Sequence, residues 1–213
     1  MQLQHNPKAI VTRGAALDKA DKVMVMIHGR GATAESILSL SEHLTTPNVA
    51  YLAPQATQNT WYPYSFMAPI EENEPGLSSA LTVLDTIVKD LHERQGFTYE
   101  QIFLLGFSQG ACLSLEYAAR NPQRYGGIFG LSGGLIGPEG KLPAYAGDFA
   151  QTPIFLGCSD VDFHIPKERV LESEEVFKSL NANVLAKLYK NFAHSVNDDE
   201  LNVVNKVMAT ATL

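Results

Sequence analysis

The 213-residue chain has no apolar run approaching the roughly 18 residues that a membrane-crossing helix needs. It has only two cysteines, Cys112 and Cys158, too few for a disulfide framework and without CxxC spacing. Both are expected to be reduced core residues, which fits a cytoplasmic setting. Positive charge is scarce: 16 Lys and Arg stand against 23 Asp and Glu, a formal net charge of −7. Duplex binding through phosphate neutralisation is therefore not expected. The first eight residues lack the basic-then-apolar pattern of a secretory leader and carry an early Pro7.

What remains is the composition of a globular chain, 45% hydrophobic and 18% charged, which excludes disorder and collagen-like repeats. Surface scaling for a chain of this size predicts roughly 9,700 Å² exposed after folding, with enough burial for a core that needs no staples. Six apolar runs stand out: Lys22–Ile27, Val49–Ala53, Gln101–Phe107, Gly126–Leu131, Pro153–Cys158 and Val184–Tyr189. Most are continuously apolar rather than alternating, as strands covered on both faces are. Lys8–Thr12 is a candidate antiparallel edge strand.

Between the runs lie helical signals. Leu77, Ala80, Leu81, Leu84, Ile87, Val88 and Leu91 recur at helical spacing, with Gly96 as a stop. Thr33 is placed to cap a helix reaching His43, Lys167–Leu180 follows Pro166, and Asn197 with Glu200 forms a capping box. Strands alternating with helices predict a mostly parallel sheet with helices on both faces, in one domain over residues 1–213. Pro54–Gly76 and Ser132–Thr152 are long strandless stretches, a length usually functional.

Gly106-Phe107-Ser108-Gln109-Gly110 is a G-x-S-x-G motif set between a strand and a helix. That context makes a nucleophile elbow, in which a strained turn presents the serine at the carboxyl end of the sheet. A serine needs a base and an orienting carboxylate. Among six histidines, His43 and His92 fall in helical patterns, and His5 is expected in a mobile leader. His194 follows the last strand at the serine's end of the sheet and is the best base. Asp160 and Asp162, after the fifth long run, are both placed to orient it, and position does not separate them. Asp160, Asp162 and His164 are also residue types that bind divalent ions, but no further ligand cluster accompanies them and no metal is expected. His28-Gly29-Arg30-Gly31 follows the first long strand, where a second oxyanion donor belongs; the backbone N–H groups of Arg30 and Gln109 are the candidates. His28 is expected to be a structural hydrogen-bonding residue.

At these residues the chain resembles the phospholipase/carboxylesterase family of α/β-hydrolases. The resemblance covers nearly the whole chain and rests on His28-Gly29-Arg30-Gly31, Trp61, the GFSQG motif, Gly157–Pro166 and Ala193-His194. Arg30 and Ala32 stand where Leu and Asp are more usual, and Ala193 where Gly is common. The family pattern of an acid followed, two residues on, by a Val/Ile-Pro pair fits Asp162 and favours it over Asp160. The resemblance implies an α/β-hydrolase fold with no large lid domain, and a serine carboxylesterase using a Ser108–His194–Asp162 triad and an acyl-enzyme, with no cofactor. Small to medium esters are the expected substrates, and a thioesterase or lysophospholipase acting on longer acyl chains is the alternative. It also places the aromatic stretch Trp61–Met67 at the acyl pocket, with Trp61, Tyr62 and Phe66 as expected contacts. Leu131–Leu135 is expected to line the opposite side. Glu71, Glu72 and Glu74 either face the site or form a solvated rim. A monomer or homodimer is expected.

Overall fold

In a computed structural model, residues 3–210 are described, and seven strands form one sheet in the order β1-β3-β2-β4-β5-β6-β7. The strands are β1 (Ile10–Gly14), β2 (Lys22–Ile27), β3 (Val49–Pro54), β4 (Ile102–Phe107), β5 (Gly127–Leu131), β6 (Pro153–Ser159) and β7 (Asn183–Tyr189). Only β1 runs antiparallel, pairing Ile10 with Pro54 and Gly14 with Ala50. Each of the six apolar runs thus becomes a strand, with ends moved by at most a residue or two. The edge strand begins two residues later than expected, because a turn at Asn6–Ala9 occupies the start of the predicted segment.

Five α-helices cover the two faces: α1 (Ala34–Leu38), α2 (Gly76–Lys89), α3 (Gln109–Arg120), α4 (Lys167–Ser179) and α5 (Asp198–Thr210). Thr33 caps α1 through the Ser36 N–H at 3.2 Å, and a 3₁₀ segment, Ser39–His43, continues it. Asn197 and Glu200 exchange the bonds of a capping box at 2.9 and 3.0 Å. The strand residues alternate between two apolar layers. Val23, Val25, Ile27 and Leu104 pack under α2, α3 and α4, while Met24, Met26, Phe103 and Leu105 pack under α1 and α5. Both layers exclude water, which is why the runs read as continuously apolar. The surface left exposed is 9289 Å², close to the value that chain size predicts. Among the described residues no helix is long and apolar enough to cross a membrane, and Cys112 and Cys158 are buried and unpaired.

His5 corrects an expectation. It is buried rather than part of a mobile leader. The Asn6–Ala9 turn folds the segment back, so that His5 N–H donates to Ser79 Oγ at 2.8 Å. Its Nδ1 accepts from Thr57 N–H at 3.1 Å, and its Nε2 donates to the Trp61 carbonyl at 2.8 Å. Burial lowers its pKa, so it stays neutral there.

Candidate active site

Ser108 sits in the tight turn between β4 and α3 with φ 55° and ψ −120°, a conformation that L-residues rarely adopt. The turn closes only because its flanks are glycine: a Cβ on Gly106 would strike the Gly110 carbonyl, and one on Gly110 would strike the Ile27 carbonyl. The Ser108 N–H is fixed to Leu131 O at 3.0 Å, and α3 starts with Cys112 N–H donating to Ser108 O at 3.0 Å. Its hydroxyl lies at the carboxyl end of the sheet, beside the amino end of α3.

Residues 194, 162 and 108 come from three separate loops and meet here. The His194 Nδ1 lies 2.6 Å from Asp162 Oδ2, and its Nε2 lies 2.8 Å from Ser108 Oγ. A carboxylate partner keeps the proton on Nδ1, leaving Nε2 to accept from the hydroxyl. Asp162 Oδ1 accepts from the backbone N–H groups of His164 at 2.8 Å and Ile165 at 3.1 Å. Burial alone would raise this carboxyl, but the His194 bond and the two amides outweigh it and hold it below its ordinary value. Asp160, the competing candidate, turns aside: its Oδ1 accepts from Asn191 N–H at 2.8 Å and ties down the loop that carries His194. The imidazole is flanked by two rings, Phe107 at 5.0 Å and His164 at 4.9 Å between centroids. His164 had no place in the sequence-based assignment except as a conceivable metal ligand.

The His28–Gly31 loop lies against Ser108, with a Cβ on Gly29 reaching 3.3 Å from that of Ser108. His28 is buried; its Nδ1 donates to Gly29 O at 2.8 Å and its Nε2 accepts from Ala56 N–H at 3.1 Å. Among the described residues, no group accepts from the backbone N–H of Arg30 or Gln109. Their side chains are engaged elsewhere. The Arg30 guanidinium donates to Thr60 Oγ1 at 3.0 Å, Pro63 O at 2.8 Å and Tyr64 O at 2.6 Å. The Gln109 amide accepts from Trp61 N–H at 2.9 Å and donates to Tyr62 O at 2.8 Å. Sequence spacing carried no sign of this clamp, since its two halves lie about thirty and forty-eight residues from their partners.

A cleft of about 610 Å³ opens over Ser108. Tyr62 and Phe66 line it, together with Cys112, His164 and Ile165. Trp61 does not line it. That ring is fully buried, donates from Nε1 to His28 O at 2.9 Å and packs between His5 and His28, so it supports the loop rather than meeting a ligand. Leu131–Leu135 is also absent from the walls. Gly133 packs against Ala111 and Gly134 against Arg169, so the segment is buried behind α3, and His164 and Ile165 form the opposite side instead. Glu71, Glu72 and Glu74 are exposed and line no part of the cleft, which settles them as a solvated rim. Among the described residues no cluster of three or more His, Cys, Asp or Glu is arranged to hold a metal.

Comparison with known proteins shows what this arrangement is similar to. A family model described as Phospholipase/Carboxylesterase matches residues 8–212. A crystal structure of a phospholipase/carboxylesterase from Dyadobacter fermentans is 46% identical, with a TM-score of 0.92 over 97% of this chain and 98% of that one. Acyl-protein thioesterase 1 of Saccharomyces cerevisiae is 29% identical over 88% of this chain and 91% of its own. A carboxylesterase from Mesorhizobium loti, 17% identical with a TM-score of 0.73 over 99% and 100% of the two chains, shares the fold.

Proposed function

The chain belongs to the phospholipase/carboxylesterase family of α/β-hydrolases, and from that premise we propose that it hydrolyses small to medium carboxylic esters through Ser108, His194 and Asp162. It is a hydrolase of the esterase/thioesterase kind. The observation that carries it is the unbroken relay from Asp162 Oδ2 to His194 at 2.6 Å and from His194 to Ser108 Oγ at 2.8 Å.

In acylation, His194 Nε2 takes the serine proton as Oγ bonds to the ester carbonyl carbon. The carbonyl oxygen becomes an oxyanion held by the Arg30 and Gln109 N–H groups, next to the positive end of α3. Collapse breaks the bond to the alkoxy oxygen, which leaves as the alcohol with the proton from His194. Water then repeats the attack on the acyl-enzyme, releasing the acid and restoring Ser108. Asp162 holds the Nδ1 tautomer and stabilises the transient imidazolium. Tyr62 and Phe66 offer apolar surface to the acyl group. No cofactor enters the scheme, residues 1–213 act as one domain, and two unpaired buried thiols accord with a cytoplasmic site.

The alternative, cleavage of thioesters or lysophospholipids with longer acyl chains, is favoured by the likeness to an acyl-protein thioesterase. Turnover of esters against thioesters across acyl lengths separates the two. A fluorophosphonate is expected to label Ser108, and Ser108→Ala is expected to cut kcat by about 10⁴-fold or more on an activated short-chain ester. Normal hydrolysis by Ser108→Ala would overturn the mechanism.

A further inference from the structure

Beside the cleft over Ser108 lies a second groove of about 410 Å³. Ile37 of α1, Leu40 just beyond it and Val196 after the proposed base form its walls, with Ser36 and Ser195 also lining it. The two hollows share Gly29, Ala32, Phe107 and His194; Ser108, Gln109, Tyr62 and Phe66 line the first alone. The imidazole of His194 therefore stands at the junction, with His164 on the cleft side only.

An ester has two arms, and the tetrahedral intermediate sends them in different directions. The oxyanion is directed at the Arg30 and Gln109 amides, and the new bond runs to Ser108. The alkoxy oxygen must lie within reach of His194 Nε2 to receive its proton. The acyl carbon has no such requirement and lies over Ser108 and Gln109. Of the two hollows, the one walled by His194 but not by Ser108 or Gln109 is thus suited to the departing arm. We propose that the groove between α1 and the 194–196 loop is the leaving-group subsite, and that it takes an apolar alcohol, alkyl or aryl. The inference rests on the Ser108–His194 acylation reading.

The chemical class follows from the lining. No Lys, Arg, Asp or Glu contributes to it, so a charged alcohol arm finds no partner there. His28, on its floor, is fully buried and has committed both ring nitrogens to Gly29 O and Ala56 N–H. Ile37, Leu40, Val196 and Phe107 leave apolar contact as the only large favourable term, worth about fourfold per methylene removed from water.

The test compares two ester series through kcat/KM, which reports acylation, the step in which the leaving arm is still attached. One series keeps the acetyl group and lengthens the alcohol from methyl through butyl to 2-phenylethyl. The other keeps methanol and lengthens the acyl group from acetate to hexanoate. Leu40→Trp and Ser195→Trp each fill the groove from a different wall, so a folding failure of one leaves the other. Each is expected to lower kcat/KM for 2-phenylethyl acetate about tenfold, to leave methyl acetate within about twofold, and to leave the acyl series unchanged. A change in the acyl series instead would assign the groove to the acid arm, and no change in either would make it solvent; both overturn the proposal. Failure of the underlying reading looks different: the wild-type chain would then resist fluorophosphonate labelling whatever the two series show.

Discussion

The two sides of the cleft mouth are built differently. On one side, the loops at residues 28–32 and 59–66 are laced together by hydrogen bonds, exposed ones from Arg30 and buried ones from Gln109. Arg30 and Gln109 grip five consecutive residues between them, and Gly31 N–H donates to Asn59 O at 2.7 Å. On the other, the loops at residues 159–166 and 189–196 hang from β6 and the half-exposed edge strand β7. The apolar tip of the first is in solvent, Phe163 wholly and Val161 by half. The difference matches two chemical tasks. Oxyanion donors act through preorganisation, so any movement before reaction weakens them. A general base instead serves two oxygens in turn, the nucleophile's and the leaving group's, and needs a tether that permits a small swing. Residues proposed as donors sit in the laced half, and the proposed base sits in the suspended one.

The comparison breaks most sharply at the tether. Asp162→Asn preserves shape but offers an N–H to His194 Nδ1, so the imidazole turns to the tautomer with its proton facing Ser108. We expect kcat to fall by about 10³–10⁴-fold with the thermal midpoint little changed. A loss below tenfold in steady-state assays of the folded variant would mean that the suspended half is ordered by something other than Asp162.

How much of this was legible beforehand depends on whether a residue's task is local. The strands and helices follow from periodicity and caps, which are written within ten or so neighbouring residues, and so does the Ser108 elbow, whose glycines adjoin it. Asp162 against Asp160 was not decidable by position, since both follow β6; only the family pattern ending in Ile165-Pro166 favoured Asp162, and the physical difference is which contact each makes with a loop some thirty residues away. Trp61 read as a ligand contact because aromatic clusters serve pockets and cores alike; its burial depends on His5, at the far end of the chain. The Arg30 and Gln109 side-chain clamp, the ring contact of His164, and the groove under Leu40 all join distant segments without any period. None of them leaves a pattern in sequence.

A second break lies under the suspended half. Glu200 is 1% exposed and opens α5 just past the His194 loop, and burial pushes its carboxyl up to about 7 from 4.5. A carboxyl whose pKa is raised by folding favours the folded state while protonated. Its contribution is complete below pH 4.5 and is lost as pH rises through about 7. The loops of the laced half contain no carboxyl, and their buried His28 works in the opposite sense: burial lowers its pKa, so its contribution is present above pH 6.5 and lost as pH falls. Stability is therefore expected to fall by up to about 3 kcal/mol from this residue between acid and alkaline conditions. Glu200→Gln keeps an acceptor for the Asn197 N–H and should flatten that slope, measured by urea unfolding from pH 5 to 9. An unchanged slope would place the titrating group elsewhere.

The smallest effect belongs to the laced half itself. Arg30→Met leaves the backbone N–H in place and removes only the guanidinium's hold on Thr60, Pro63 and Tyr64. If that hold merely shapes the acyl pocket, KM should rise while kcat stays. If it also stills the donor loop, an interaction made only in the transition state weakens, and kcat and kcat/KM should fall together. The lacing predicts the second outcome, by about tenfold, because Arg30 carries both the clamp and the proposed donor on one residue. Arg30→Lys should recover little, since an ammonium cannot span three acceptors as the planar fork does. The pH profile of kcat should keep its shape in both variants, as neither change touches the tether between Asp162 and His194. A rise in KM alone would dissolve the contrast between the two halves and make the clamp a wall of the substrate pocket.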